Sequence, residues 1–300
     1  MKRICIIGGG HGTSRLIKGF KDKDVNIDII VASSDNGGHT GEIIKEFDVP
    51  ALGDLRMVLE SVVEKPLVDF LSYRFDSLHG KNRVSLGNLM LLSIVLETGS
   101  VNEMLNKING LIDSKYHFYL ANNEYVELKA LDKNDNVILG EENIGNCDCI
   151  KDIFLERQGI VEDSVIDAIN SADIIIFSFG SFYTSLGSVI ISSRIKQALK
   201  EAKGEIVYVP NLVNQTETKD YSLDNYVNFI ENKIERKIDR VLISNSKIKR
   251  KIIKRYALEG KSIVAVKQKK DNYRYYDLIS RDNDKLRHDV DYLAKIILDE

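Results

Sequence analysis

Three hundred residues, 43% of them hydrophobic and with 42 Lys and Arg against 45 Asp and Glu, give enough apolar material for one large core. The net charge of −3 excludes binding to nucleic acid by phosphate neutralisation, and no apolar run approaches the roughly 18 residues that cross a bilayer. Three cysteines, two of them a C-x-C pair at Cys147 and Cys149 with no second pair, exclude a disulfide framework and a complete zinc site.

The chain enters a strand at Arg3–Ile7 without a preceding leader, so a cytoplasmic location is expected. Gly8-Gly9-Gly10-His11-Gly12-Thr13 follows, then a helical pattern through Leu16, Ile17 and Phe20. A second strand, Ile27–Ala32, ends in Ser34-Asp35-Asn36-Gly37-Gly38-His39. Helices are expected from Asp54 to Val63 and from Ser85 to Leu96, with Asp54 and Ser85 as caps. From about 114 to 157 the pattern turns β-rich: Tyr116–Leu120, Tyr125–Leu131 and Val137–Leu139, separated by Asn and Asp clusters. This section is read as a small antiparallel insertion. Ala172–Phe177, Glu205–Val209, Arg240–Ile243 and Ser262–Val266 are the later strands, with helices over 190–202 and Asp289–Leu298. Apolar strands alternating with helices predict one α/β domain over 1–300. It is Rossmann-like, with a mostly parallel sheet covered on both faces.

Polar or glycine-rich loops follow the strands, and in an open parallel sheet those strand ends converge on one crevice. Gly9, Gly10 and Gly12 let the backbone turn tightly and approach a ligand, while the next helix offers N–H groups to phosphate. His11 lies in the same loop, which has neither the lysine of a phosphate loop nor the third glycine of a dinucleotide fingerprint. Asp35, beside Asn36, Gly37 and Gly38, would hold a ribose hydroxyl or Mg2+, or close an Asx turn. His39 would add a phosphate donor. Asp54 pairs with Asp35 as a second carboxylate for one hard cation, and Arg56 offers a fork to phosphate. Asn88, in a helix's first turn, is a candidate donor. Gly180, Ser181, Tyr183 and Thr184 present amides and hydroxyls suited to a diphosphate, and Asn211 an amide for base or sugar. No Ser-His-Asp order and no reactive cysteine appears, so catalytic residues are not assigned.

Taken in order, GGGHGTS (8–14), SDNGGHTG (34–41), VPALGDLR (49–56), SLGNLMLLS (85–93), GSFYTS (180–185) and YVPNLVNQTET (208–218) resemble the gluconeogenesis-factor (YvcK-type) family, related to the CofD-type 2-phospho-L-lactate transferases. Arg287-His288-Asp289 matches that family's C-terminal signature. The resemblance implies a UDP-sugar ligand such as UDP-N-acetylglucosamine, a link to cell shape and wall metabolism, and an inclination to dimerise. The CofD branch implies instead a magnesium-dependent transferase using a nucleotide-diphosphate donor. His11, Asn36 and Met57 depart from the family pattern, which elsewhere has Thr, Asp and Asn.

Overall fold

The computed structural model describes residues 1–76, 84–280 and 285–299, the His39 side chain excepted. Its strands are β1 (Lys2–Gly8), β2 (Val25–Val31), β3 (Arg74–Phe75), β4 (Val84–Ser85), β5 (Tyr116–Leu120), β6 (Leu128–Asp132), β7 (Val137–Leu139), β8 (Ile150–Leu155), β9 (Ile174–Phe177), β10 (Glu205–Tyr208), β11 (Arg240–Ser244) and β12 (Tyr273–Tyr276). Seven form the central sheet in the order β12-β11-β10-β9-β1-β2-β5, every pairing parallel.

Burial on both faces explains the uninterrupted apolar strands. Along β1, Ile4 and Ile6 enter one core while Cys5 and Ile7 enter the other, all at 0% exposure. The helices Gly10–Lys18, Leu86–Thr98, Val101–Leu111 and Val290–Asp299 cover the first face. The second is covered by helices Asp163–Asn170, Ser193–Glu201 and Leu223–Ile234 together with the apolar side of the β7-β6-β8 sheet.

The chain builds β1, β2 and β5 outward in one direction, then returns to place β9 on the other side of β1. That reversal is the topological switch point, where loops leaving adjacent strands diverge and leave a crevice.

The sequence reading needs four corrections. Tyr116–Leu120 is the edge strand of the main sheet, with Ile27 opposite Tyr116 and Val31 opposite Leu120. An edge strand buries its two faces unequally, and that alternation imitates an antiparallel strand. The antiparallel sheet therefore starts at β6, and it gains an unforeseen third strand, β8. Ser262–Val266 makes only isolated bridges, Val213 with Ile263 and Ser222 with Ala265, and β12 takes the sheet edge instead. The expected 190–202 helix begins earlier, as a π turn over Phe182–Gly187, and re-forms at Ser193–Glu201. Asp54 sits inside the first turn of the Gly53–Leu59 helix, two residues beyond the capping position, which Leu52 holds.

Candidate ligand site at the switch point

Side-chain bonds fasten the loops at the carboxyl ends of β1, β9 and β10 to one another. A β-carbon on Gly9 would stand 2.0 Å from Asp54 Oδ2, and one on Gly12 only 1.7 Å from the Phe179 carbonyl oxygen. Close approach of backbone therefore demands glycine at Gly12, while at Gly9 a side chain would have to displace the Asp54 carboxylate. Gly10 has φ +56, a conformation glycine adopts without cost. Thr13 and Ser178 share a 2.6 Å hydroxyl bond that locks the first helix onto the end of β9. The Gly180 N–H donates to Asn211 Oδ1 at 2.9 Å, and Asn211 Nδ2 donates to the Gly180 carbonyl at 2.7 Å. Asn211 thus clamps the β9 loop to the β10 loop.

The N-cap residue of the Gly10–Lys18 helix, Gly9, offers no side-chain cap; Asp54 takes the Gly10 amide, and the later amides of the first turn remain for an acceptor. His11 is exposed in that turn. His288 bonds through Nε2 to the Pro210 carbonyl at 3.0 Å, and its ring lies 4.5 Å from that of Phe179. Burial holds His288 neutral, at about 4. Arg15 feels its own burial first and then the like charge of Arg287, and both lower its basicity. The C-terminal signature therefore stands at the same crevice.

Three carboxyl groups occupy the other side, one of which the sequence reading missed. Asp35 accepts from the Gly37 N–H at 2.7 Å, closing an Asx turn, and interacts with both Asp54 and Glu141. Glu141, from the short Glu141–Gly145 helix of the insertion, bonds to Thr184 Oγ1 at 2.6 Å. Asn36 Oδ1 accepts from the Glu142 N–H at 3.5 Å, and Gly140 leaves space for the Asn36 amide. Burial raises Asp54 to about 7, with Asp35 adding to the effect. Glu141 is pushed above the carboxylate range by burial first and by Asp35 second.

Other expected residues play supporting parts. Ser181 Oγ lies 2.6 Å from Thr184 Oγ1 and donates to Glu217 at 2.9 Å, while the Phe182 N–H donates to Glu217 at 2.7 Å. Buried Glu217, named by no sequence argument although it lies within the quoted 208–218 run, organises that loop from beneath. Tyr183 is 0% exposed and bonded to Tyr221, so its ring packs in the core. Gly38 opens its helix with free space around it. Arg56 is buried against Glu60, and Asn88 is buried nearby, where Gly87 packs on the Arg56 stem. Arg56 Nε and Asn88 Oδ1 have no hydrogen-bond partner. The His39 side chain lies outside the described residues.

As hard oxygen donors, Asp35, Asp54 and Glu141 suit Mg2+ in type, and Glu141 Oε2 is buried without a partner. Among the described residues, however, no group of three His, Cys, Asp or Glu is arranged around an ion position. In the present arrangement burial favours the protonated forms of Asp54 and Glu141 instead.

Also among the described residues, no helix is long and apolar enough to cross a membrane. The 2-phospho-L-lactate transferase CofD family matches residues 4–282. A Thermotoga maritima relative is 32% identical over 269 residues, 88% of this chain and 85% of its own length. The gluconeogenesis factor of Bacillus subtilis is 30% identical over 308 residues, 99% of this chain and 97% of its own. A crystallised UPF0052-family protein from Bacillus halodurans superimposes with a TM-score of 0.91 at 27% identity, over 99% of this chain and 100% of that one. With its parallel sheet, its loops clamped across the switch point and a match spanning nearly all its length, this chain belongs to the CofD family, on the side of the gluconeogenesis factors.

Proposed function

We propose that this protein binds a nucleotide sugar of the UDP-N-acetylglucosamine kind at the switch point, without turning it over, as a cytoplasmic regulator of cell shape and wall metabolism. The observation that carries this reading is the meeting of the β1, β9 and β10 loops, joined by Thr13–Ser178 and by Asn211–Gly180, over a helix N-terminus whose later first-turn amides remain for an acceptor. Amides and a dipole in that position favour a diphosphate, and Arg15 of the same helix lies near enough to Arg287 to feel its charge. Beside Asn211 lies a small apolar cavity of about 40 Å3 walled by Leu212, Leu223 and Ile263. A homodimer belongs to the same reading, and sedimentation velocity tests it.

Calorimetric titration with UDP-N-acetylglucosamine should show binding to the wild type and markedly weaker binding to Asn211→Ala, whose loop clamp is gone. No heat from the wild type ends the reading.

A second reading is favoured by the Asp35, Asp54 and Glu141 group: a magnesium-dependent transferase acting on a nucleotide-diphosphate donor. In it Asp35 and Asp54 would hold the ion, which would neutralise the developing diphosphate charge. Incubation with nucleotide-diphosphate donors, Mg2+ and a hydroxy-acid acceptor discriminates. Product that disappears in Asp54→Asn supports the transferase; inertness with every donor counts against it.

A further inference from the structure

The charges on this chain are unevenly placed. Residues 247–270 hold ten Lys and Arg against a single Glu, so the remainder of a chain of net charge −3 carries −12. Many lysines elsewhere sit in ion pairs, such as Lys129 with Glu156, Lys151 with Asp135, Lys200 with Glu235 and Lys219 with Asp148. In 247–270 the exposed side chains of Lys247, Lys249, Arg250, Lys251, Lys254 and Lys267 have no acidic partner among the described residues. Their helix, Arg250–Leu258, buries no residue at all. At helical spacing Arg250, Lys254 and Leu258 form one outward stripe, opposite the half-buried Ile252 and Tyr256. Leu258 is 90% exposed, Ile253 41% and Val266 38%. Ile248 and Val266 line one cavity, so the segment leading into the helix and the loop carrying Lys267 are neighbours.

We propose that this face docks the protein on a bilayer rich in anionic phospholipid, its lysines on the headgroups and Leu258 in the acyl boundary. Charge complementarity selects an anionic surface, and the strongly negative remainder of the chain would be repelled by it, leaving one docked orientation. Apolar side chains set among the lysines select lipid over nucleic acid: a phosphate backbone has no use for them, whereas the headgroup boundary takes them up. Attraction of this kind is screened by salt, and Leu258 adds an unscreened part.

Co-sedimentation of the full chain with phosphatidylcholine vesicles, with and without phosphatidylglycerol, tests this. The protein should sediment with the phosphatidylglycerol vesicles at low salt, leave them at high salt and ignore the neutral ones. Lys251→Glu/Lys254→Glu should lower binding about tenfold or more, and Leu258→Ser about threefold. Both variants alter exposed residues, and circular dichroism with thermal melting checks that they fold as the wild type does. Failure to sediment, equal binding to neutral vesicles, or wild-type binding by the charge-reversed variant would overturn the proposal. So would tighter binding of the same face to duplex RNA than to vesicles.

Discussion

Burial of Asp54, more than any neighbour, holds its proton, since the Arg56 guanidinium beside it is engaged by Glu60. An unfolded Asp54 ionises near 3.8 and the folded one at about 7. Below the first value both states are protonated and nothing is lost. Between the two the unfolded chain alone ionises, so rising pH favours unfolding, and above about 7 the loss is constant. Asp54→Asn should therefore be more stable than wild type by about 1–3 kcal/mol near pH 8 and indistinguishable near pH 4, measured by urea unfolding. An equal difference at both pH values would contradict this. His288 has the opposite sign, because its folded value, about 4, lies below the ordinary 6.5. Unfolded chains bind the extra proton in that window, so stability falls as pH drops through it. His288→Gln should flatten the acid limb of the stability curve, and an unchanged slope would remove the buried neutral imidazole from the account.

Among the elements, the first loop and helix depend on close approach. A side chain at Gly12 meets backbone at 1.7 Å, whereas one at Gly38 meets nothing and is limited only by φ +53. Gly12→Ala should cost about 2–4 kcal/mol and Gly38→Ala about 1 kcal/mol, read by thermal unfolding. The reverse order would mean that the helix does not rest on the Phe179 carbonyl.

The same loops show how much of the site was legible in the sequence. Gly9, Gly10, Gly12, Asp54, Ser181 and Asn211 were readable because each lies on a glycine-rich or polar turn directly after a strand or at the start of a helix. Glu141 was not, since only the packing of the insertion, with Asn36 set against Gly140, carries it across to Asp35. Glu217 was hidden for a different reason: a buried carboxylate beneath a loop has no periodicity and looks like any surface Glu. The burial of Tyr183 was not legible either, because an aromatic in a glycine-rich loop can face outward or pack inward, and its 0% exposure shows that it packs.

At the scale of the whole molecule, the alternation of apolar strands with helices was enough to predict a parallel sheet covered on both sides. Strand order was not, because register and neighbour depend on which hydrophobic faces meet. β5 shows this best, as its alternating burial was mistaken for that of an antiparallel hairpin. The order β5-β2-β1-β9-β10-β11-β12 is what brings the β1 and β9 loops together. Had β9 joined the outer edge of β5, the loops carrying Gly9 and Ser181 would leave strands with two others, β2 and β5, between them, and no shared crevice would form.

The most direct test is a crystal structure grown with UDP-N-acetylglucosamine. The diphosphate should lie over the first turn of the Gly10–Lys18 helix, between the Gly9 and Gly180 loops, with Arg15 or Arg287 turned toward it. A nucleotide sugar found at another face, with the Asn211–Gly180 clamp and the helix N-terminus untouched, would contradict the account.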